Sequence, residues 1–397
     1  MKNIIFLSLL LLSFNVFAIN YGIDRLGEAQ VQAIIQGKRL AVLTHAAGRD
    51  QNGEHLIDIL FKNYNLKKIF APEHGLRTLA DDWVQDGVDE STGLPVISLY
   101  KRSSKAPSPK DLEGIDAIVI DLQDVGVRYY TYFSTIAEVM KAAAPLKIEI
   151  ILLDRPNLLG GNVVEGKVLD PSLAGGFTAY HTVPTRHGMT LGELSLMINS
   201  EKEMGVNLKV IPASDWVRQR LIDELNRSWI APSPALIEIE QVGLYAIWGT
   251  LENFNLAVGR GQTNELAFKV IGAPWITNEE SIALASELNK LGFSEIEFTP
   301  FSWAVTRALY TGQVARGVKL HWTGVEVRTD EFTYKVSSTL IKLFKNRLNI
   351  ENMSPRSYGS ISMVNAIKNG TDWDIYKKEI ESDLENFKER RKPFLIY

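Results

Sequence analysis

The chain contains no cysteine. That excludes disulfide support, thiolate metal ligands and a cysteine nucleophile, so a fold of 397 residues has to be held by its own apolar core. Charge of one sign is scarce as well. The 43 Lys and Arg residues against 47 Asp and Glu give a formal net charge of −4 with no dense basic run, which argues against nucleic acid or an anionic membrane surface as partner. No Gly-x-Gly-x-x-Gly joins a strand to a helix, so a dinucleotide fold is unsupported, and Gly160-Gly161-Asn162 reads as a turn. No Gly-x-Ser-x-Gly elbow is present, which weakens a serine hydrolase. The six histidines, His45, His55, His74, His181, His187 and His321, lack His-Glu-x-x-His spacing, so neither a metal nor another cofactor is expected. The opening apolar run, Ile4 to Leu12, is too short to cross a bilayer. With Lys2 before it and Ala18 after it, this run reads as a secretory signal over residues 1–18. The mature protein is thereby expected to be exported, to the periplasm or beyond, without membrane attachment after cleavage.

Two apolar runs lead straight into carboxylates. Lys68-Ile69-Phe70-Ala71 enters Pro72-Glu73-His74-Gly75, and Ala117-Ile118-Val119-Ile120 enters Asp121-Leu122-Gln123-Asp124, which continues to Arg128 and Tyr132. Buried parallel strands read as continuous apolar runs, and open α/β sheets bind ligands beyond the carboxyl ends of their strands. If the two runs are parallel neighbours, Glu73, Asp121 and Asp124 meet at one edge, and paired acids in a crevice are the machinery of glycosidic bond cleavage. The bland alternative is that the aspartates cap the following helix and pair with Arg128. Glu73 is harder to explain that way, because glutamate is a poor turn residue.

Further runs at Arg39–Leu43, Pro95–Leu99 and Ile148–Leu153 alternate with helical spacing, such as Ile136, Val139, Met140 and Ala143. The expected fold is a Rossmann-like, doubly wound parallel sheet over 19–238, followed by a smaller α+β domain over 239–397 that closes a cleft. The boundary is set near Trp229 to Pro234, where the strand–helix rhythm breaks. Ser108-Pro109 has the form of a helix start, and Phe394 to Tyr397 has the form of a closing strand. Thr190-Leu191-Gly192-Glu193 and Thr277-Asn278-Glu279-Glu280 read as capping boxes, so these glutamates are taken as structural. Thr44-His45, Glu73-His74, Asp121 to Arg128 and Asp154-Arg155-Pro156-Asn157 then share one rim. The second half adds Glu252, Asn253, Asn255 and Gly259-Arg260-Gly261.

These motifs, with Thr92-Gly93-Leu94-Pro95-Val96, Pro184 to Thr190, Pro232-Ser233-Pro234 and Gly272-Ala273-Pro274-Trp275, resemble the exo-β-N-acetylmuramidase family of the NamZ type over nearly all of the chain after the signal. The resemblance implies an enzyme that removes terminal β-1,4-linked N-acetylmuramic acid from the non-reducing ends of peptidoglycan fragments. The family's catalytic glutamate falls on Glu73, with a partner among His74, Asp124 and Glu252. His45, Arg77, Gln123, Arg128, Tyr130, Arg155, Glu252, Asn255 and Arg260 form the expected substrate-facing set. Arg260, or else Arg128 or Arg155, would pair the lactyl carboxylate, and Tyr130 or Tyr132 would stack on the sugar. Two departures stand out: His45 where the family has Asn, and Asn253-Phe254 where it has Gly-Thr. A non-catalytic exported binder of peptidoglycan or sugar is the competing reading, and a metal-dependent hydrolase of the stem peptide is a third.

Overall fold

The computed structural model describes residues 19–76, 85–101, 103–221, 227–260, 264–307, 309–322 and 328–397. The expected signal and Arg77 lie outside them. Seven strands form the large sheet: β1 (Arg39–Thr44), β2 (Asn65–Ala71), β3 (Gly87–Val88), β4 (Pro95–Ser98), β5 (Ala117–Asp121), β6 (Glu149–Leu153) and β7 (Leu208–Ile211). Their spatial order is β3-β4-β2-β1-β5-β6-β7, parallel except for the two-residue edge strand β3. The central strands are buried on both faces, as their unbroken Val, Ile and Leu content requires. After helix α1 (Ala29–Ile35), the crossovers run through α2 (Leu56–Asn63), α3 (Tyr132–Ala143) and α4 (Leu191–Glu201). The chain winds outward from β1 to β2 and β4, then returns to the other side of β1 at β5. The topological switch point is therefore the β1/β5 boundary.

That order corrects one expectation. The two carboxylate-bearing strands, β2 and β5, are parallel but not adjacent, because β1 lies between them and pairs with both. Ser108-Pro109 starts a turn rather than a helix, since the Asp111 carboxylate takes both the Ser108 amide and its hydroxyl at 2.8 and 2.7 Å.

The second unit starts with α5 (Ile239–Trp248) and holds an antiparallel sheet of order β8-β10-β9, namely β8 (Val270–Ala273), β9 (Ile296–Ala304) and β10 (Val314–Trp322). Helix α6 (Asn278–Asn289) packs on it, and α7 (Thr329–Phe344) packs on α6 and sets Phe332 against Phe298 of β9. Both expected capping boxes are present, Thr190/Glu193 on α4 and Thr277/Glu280 on α6. The C-terminal helix, Trp373–Arg391, buries Trp373, Tyr376, Ile380, Leu384 and Phe387 along one stripe. The chain then returns to the first unit. Arg391 Nη1 donates to the carbonyls of Gly161, His187 and Gly188, and the Tyr397 hydroxyl donates to Asp154 Oδ2 at 2.8 Å. Residues 392–394 form a 3-10 turn and the tail adds no strand. Its backbone is held as well, with Glu193 accepting the Ile396 amide at 3.0 Å.

Candidate active site

Glu73 leaves the sheet at the end of β2 on a tight turn. The Gly75 amide donates to the Pro72 carbonyl at 3.0 Å, and His74 and Gly75 take positive φ values of 69° and 75°. The left-handed region is routine for glycine but costs energy for histidine, and such strain persists only where the surroundings enforce it. The turn holds the Glu73 side chain half-exposed while His74 is buried. Thr131, at the mouth of α3, donates its hydroxyl to Glu73 Oε2.

Under Glu73 lies a sealed polar layer. His45 follows β1 and is fully buried, and its Nε2 accepts the Gln123 amide at 2.9 Å. The ring proton therefore sits on Nδ1, which faces the Tyr132 hydroxyl at 3.4 Å. Burial, with Arg155 next, drives this imidazole well below its ordinary range, so it stays neutral. Tyr132 and Tyr130 both donate to the Pro232 carbonyl, at 2.7 and 3.0 Å. Neither tyrosine offers a face to a sugar. Both are core residues, which corrects the expectation of stacking. His45 likewise has both nitrogens spent on the scaffold.

The β5 acids are scaffold too. Asp121 is fully buried and forks onto Arg155, whose Nη2 donates at 2.8 Å. Asp124 lies against the amino end of α3, its Oδ1 accepting the Gly126 amide at 2.7 Å, while Oδ2 is buried with no hydrogen-bond partner. Burial pushes this carboxyl up to about 7, against the pull of the Gly126, Val125 and Phe133 amides. Gly126 permits the arrangement: it has φ 83°, and a Cβ there would stand 2.3 Å from Asn157 Oδ1. Asp124 is thus reassigned from catalyst to helix anchor.

Arginines fare similarly. Arg128 is buried and donates to the carbonyls of Lys167, Val183 and Ser357, at 2.7, 2.9 and 3.0 Å. Its charge fastens the first unit to the second, so it is not available to a substrate. Arg155 is committed to Asp121 and to the Arg49 carbonyl. Asn255 spends its amide on the second unit's own loop, donating to the Arg347 carbonyl at 2.9 Å and accepting the Asn349 amide at 2.7 Å. Gln123 donates to the carbonyls of Asp124 and Pro156. It also lines a cavity of about 130 Å³ at the switch point, with Arg49, Arg155, Arg227 and Trp229.

The segment after α5 adds an ion pair of its own. Arg260 Nη1 meets Glu252 Oε1 at 3.0 Å, and both side chains are part-exposed. Burial raises the Tyr245 hydroxyl well above its ordinary range, and the charges of Glu252, Arg260 and Glu73 all reach it. Tyr245 is anchored by Tyr129, whose hydroxyl donates to the backbone carbonyls of Tyr245 and Ala246 at 2.9 and 2.8 Å. The charge of Glu73 also reaches Lys105. The structure thus gathers Glu73, Glu252 and Arg260 from the expected set, and adds Thr131, Tyr245 and Lys105. Thr131 had a readable signal, since a hydroxyl residue before an apolar helix is a capping candidate. Tyr245 sits in an apolar helical run that gives no such hint.

The chain matches two family models, the N-terminal part of exo-β-N-acetylmuramidase NamZ over residues 40–240 and its C-terminal part over 243–397. The peptidoglycan β-N-acetylmuramidase NamZ of Bacillus subtilis (strain 168) is 34% identical over 374 residues, covering 91% of this chain and 88% of that protein. Two crystal structures of DUF1343 family proteins from Bacteroides fragilis NCTC 9343 superpose with TM-scores of 0.85 and 0.73, at 30% and 27% identity. Each covers 96% of this chain and 99% of its own. With both halves matched and a relative 34% identical over most of either chain, the chain belongs to the exo-β-N-acetylmuramidase NamZ family.

Proposed function

We propose that Glu73 is the acid of an exo-β-N-acetylmuramidase that releases terminal N-acetylmuramic acid from the non-reducing ends of peptidoglycan fragments. One observation supports the reading: among the acids at the carboxyl edge of β2 and β5, only Glu73 is both part-exposed and held by a donor, Thr131. Glycoside cleavage passes through an oxocarbenium-like state and needs an acid on the departing oxygen, with a second group across the ring. Glu252, paired to Arg260, fits that second role. It either acts directly or holds the acetamido group of the sugar while the amide oxygen attacks the anomeric carbon. Thr131 fixes one carboxyl oxygen of Glu73 and leaves the other to meet the glycosidic oxygen. The protein acts outside the cytoplasm once residues 1–18 are removed, on muramic-acid-capped saccharides rather than on nucleic acid or membrane.

The test is incubation with a defined muramic-acid-capped disaccharide, with products resolved by mass. Release of free N-acetylmuramic acid by the wild type, abolished in Glu73→Gln, supports the assignment. Undiminished release by that variant overturns it.

A further inference from the structure

We infer that Arg49 answers a carboxylate of the substrate, at a small cavity over the switch point, and thereby favours acid-bearing muramic sugars over neutral ones. The inference rests on the muramidase reading above. The anion has two chemical sources: the lactyl acid of a bare muramic acid, or the terminal carboxylate of a peptide amide-linked to it.

Open α/β sheets take ligands where the winding reverses, beyond the strand ends. The cavity there, about 130 Å³, is bordered by the segments that follow β1, β5 and β6, through Arg49, Gln123 and Arg155, and by Arg227 and Trp229. It is smaller than the roughly 300–1,000 Å³ of pockets that take a whole small molecule, so it suits a substituent of a sugar. A carboxylate entering it needs a cation to offset its desolvation. Two of the three guanidinium groups already hold a carboxylate. Arg155 forks onto Asp121 and Arg227 pairs with Asp24, and both lie over the Tyr21 ring, 4.8 and 4.2 Å from its centroid. Arg49 pairs with no carboxylate among the described residues, where its side chain makes one hydrogen bond, from Nη1 to the Gly53 carbonyl at 2.8 Å. Nε and Nη2 are left for the two-point contact that a guanidinium makes with a carboxylate.

The loop that carries Arg49 is fastened before any ligand arrives, which lowers the entropy lost on binding. The Arg49 carbonyl accepts from Arg155 Nη2 at 3.2 Å, so the buried Asp121–Arg155 pair holds the loop at its start. Asp50 Oδ1 accepts the Asn52 and Glu54 amides at 2.9 and 2.8 Å, and Gly53 takes φ 83° to close the turn. The Gln51 amide donates to Asp24 Oδ1 at 2.6 Å, tying the loop to the acid that holds Arg227. Trp229 has its indole Nε1 on the Leu236 carbonyl at 3.2 Å and gives the cavity an apolar wall. Arg49 also borders a second hollow, of about 190 Å³, with His55, Asp58, Leu76 and Asp89. Leu76 directly follows the Pro72–Gly75 turn that carries Glu73, and β1 and β2 are paired neighbours. Arg49 therefore stands between the Glu73 turn and the switch-point cavity, on one edge of one sheet.

The test compares wild type, Arg49→Gln and Arg49→Lys, each checked for fold by circular dichroism, on three substrates. These are 4-nitrophenyl β-N-acetylmuramide, its neutral lactyl amide, and the conjugate in which L-alanine caps the lactyl group and brings its own carboxylate. A charge-assisted contact carries roughly 10–100-fold in KM. Arg49→Gln should raise KM by that much on an acid-bearing substrate, with kcat little changed and the neutral amide unaffected, and Arg49→Lys should recover part of the loss. A rise confined to the muramide identifies the lactyl acid as the anion, and one confined to the conjugate identifies the peptide; either supports the proposal. Equal losses on all three substrates, or no loss on either acid, would overturn it. Calorimetric titration of N-acetylmuramic acid and its L-alanine conjugate into wild type and Arg49→Gln keeps this outcome apart from the muramidase reading. Arg49-dependent binding without hydrolysis would overturn that reading and leave the proposal standing, hydrolysis with no dependence on Arg49 would do the reverse, and absence of both would overturn both.

Discussion

The two acidic strand ends look alike on paper and behave oppositely in the fold. At the end of β5, Asp121 and Asp124 are buried, one forked onto Arg155 and the other lodged against the start of α3. At the end of β2, Glu73 stands half-exposed on a strained turn, touched by Thr131, and its charge reaches Tyr245 together with those of Glu252 and Arg260. The difference arises from the neighbours. Helix α3 starts just beyond β5, with Asp124 taken up by the Gly126 amide there and Asp121 by Arg155, so the acids of β5 are enclosed. β2 is followed on its outer side only by the short β4 and β3, so the turn after it opens into the cleft. An acid at a strand end is thus a candidate for chemistry only when nothing roofs it.

The sharpest way to break this comparison is to neutralise each acid. Glu73→Gln should cut turnover on a chromogenic β-muramide by about 10²–10⁴-fold, the span for losing a general acid, while the urea unfolding midpoint stays put. A loss of stability with activity retained would reverse the roles assigned to the two ends. Asp121→Ala should do the opposite. It strands the Arg155 guanidinium without its buried partner and should cost about 3–5 kcal/mol of unfolding free energy, read by urea denaturation.

The Asp124 carboxyl gives a test in pH. Its folded value of about 7 lies above the ordinary 3.8, so the native state holds this proton more tightly than the unfolded chain. The associated stability is fully present below the unfolded value and is lost as pH rises towards the folded one. Asp124→Asn keeps an oxygen for the Gly126 amide and cannot ionise, so its stability relative to wild type should rise between pH 4 and 7. A difference that stays flat over that range would mean Asp124 is not buried as described. The smallest effect expected is at Thr131. Thr131→Val should lower kcat about 10-fold, of the order of one charge-assisted hydrogen bond, with KM little changed.

Much of the scaffold was legible because it rests on local pattern. The apolar runs at β1, β2, β5 and β6 and the capping boxes at Thr190 and Thr277 are each dictated by neighbours within a few residues. Glu73 was legible for the same reason, as a residue out of place in a proline–glycine turn. What the pattern does not carry is which side chain a distant carbonyl will claim. Arg128, Arg155, Tyr130 and His45 all have the chemistry of binding residues, and each is consumed by partners from other segments, Lys167 and Ser357, Asp121, Pro232 and Gln123 respectively. The insertion of β1 between the two acidic strands was hidden likewise, because strand order depends on long-range pairing. Lys105 and Tyr245 enter the site only through packing between distant segments.

The tail that ends at Tyr397 has a practical consequence. Arg391 and the Tyr397 hydroxyl clasp Gly161, Gly188 and Asp154, so the final turn of chain acts as a buckle across both units. Trimming residues 394–397, or crowding them with a fusion partner, would leave Glu193 and Asp154 without the Ile396 amide and the Tyr397 hydroxyl, far along the chain from Glu73.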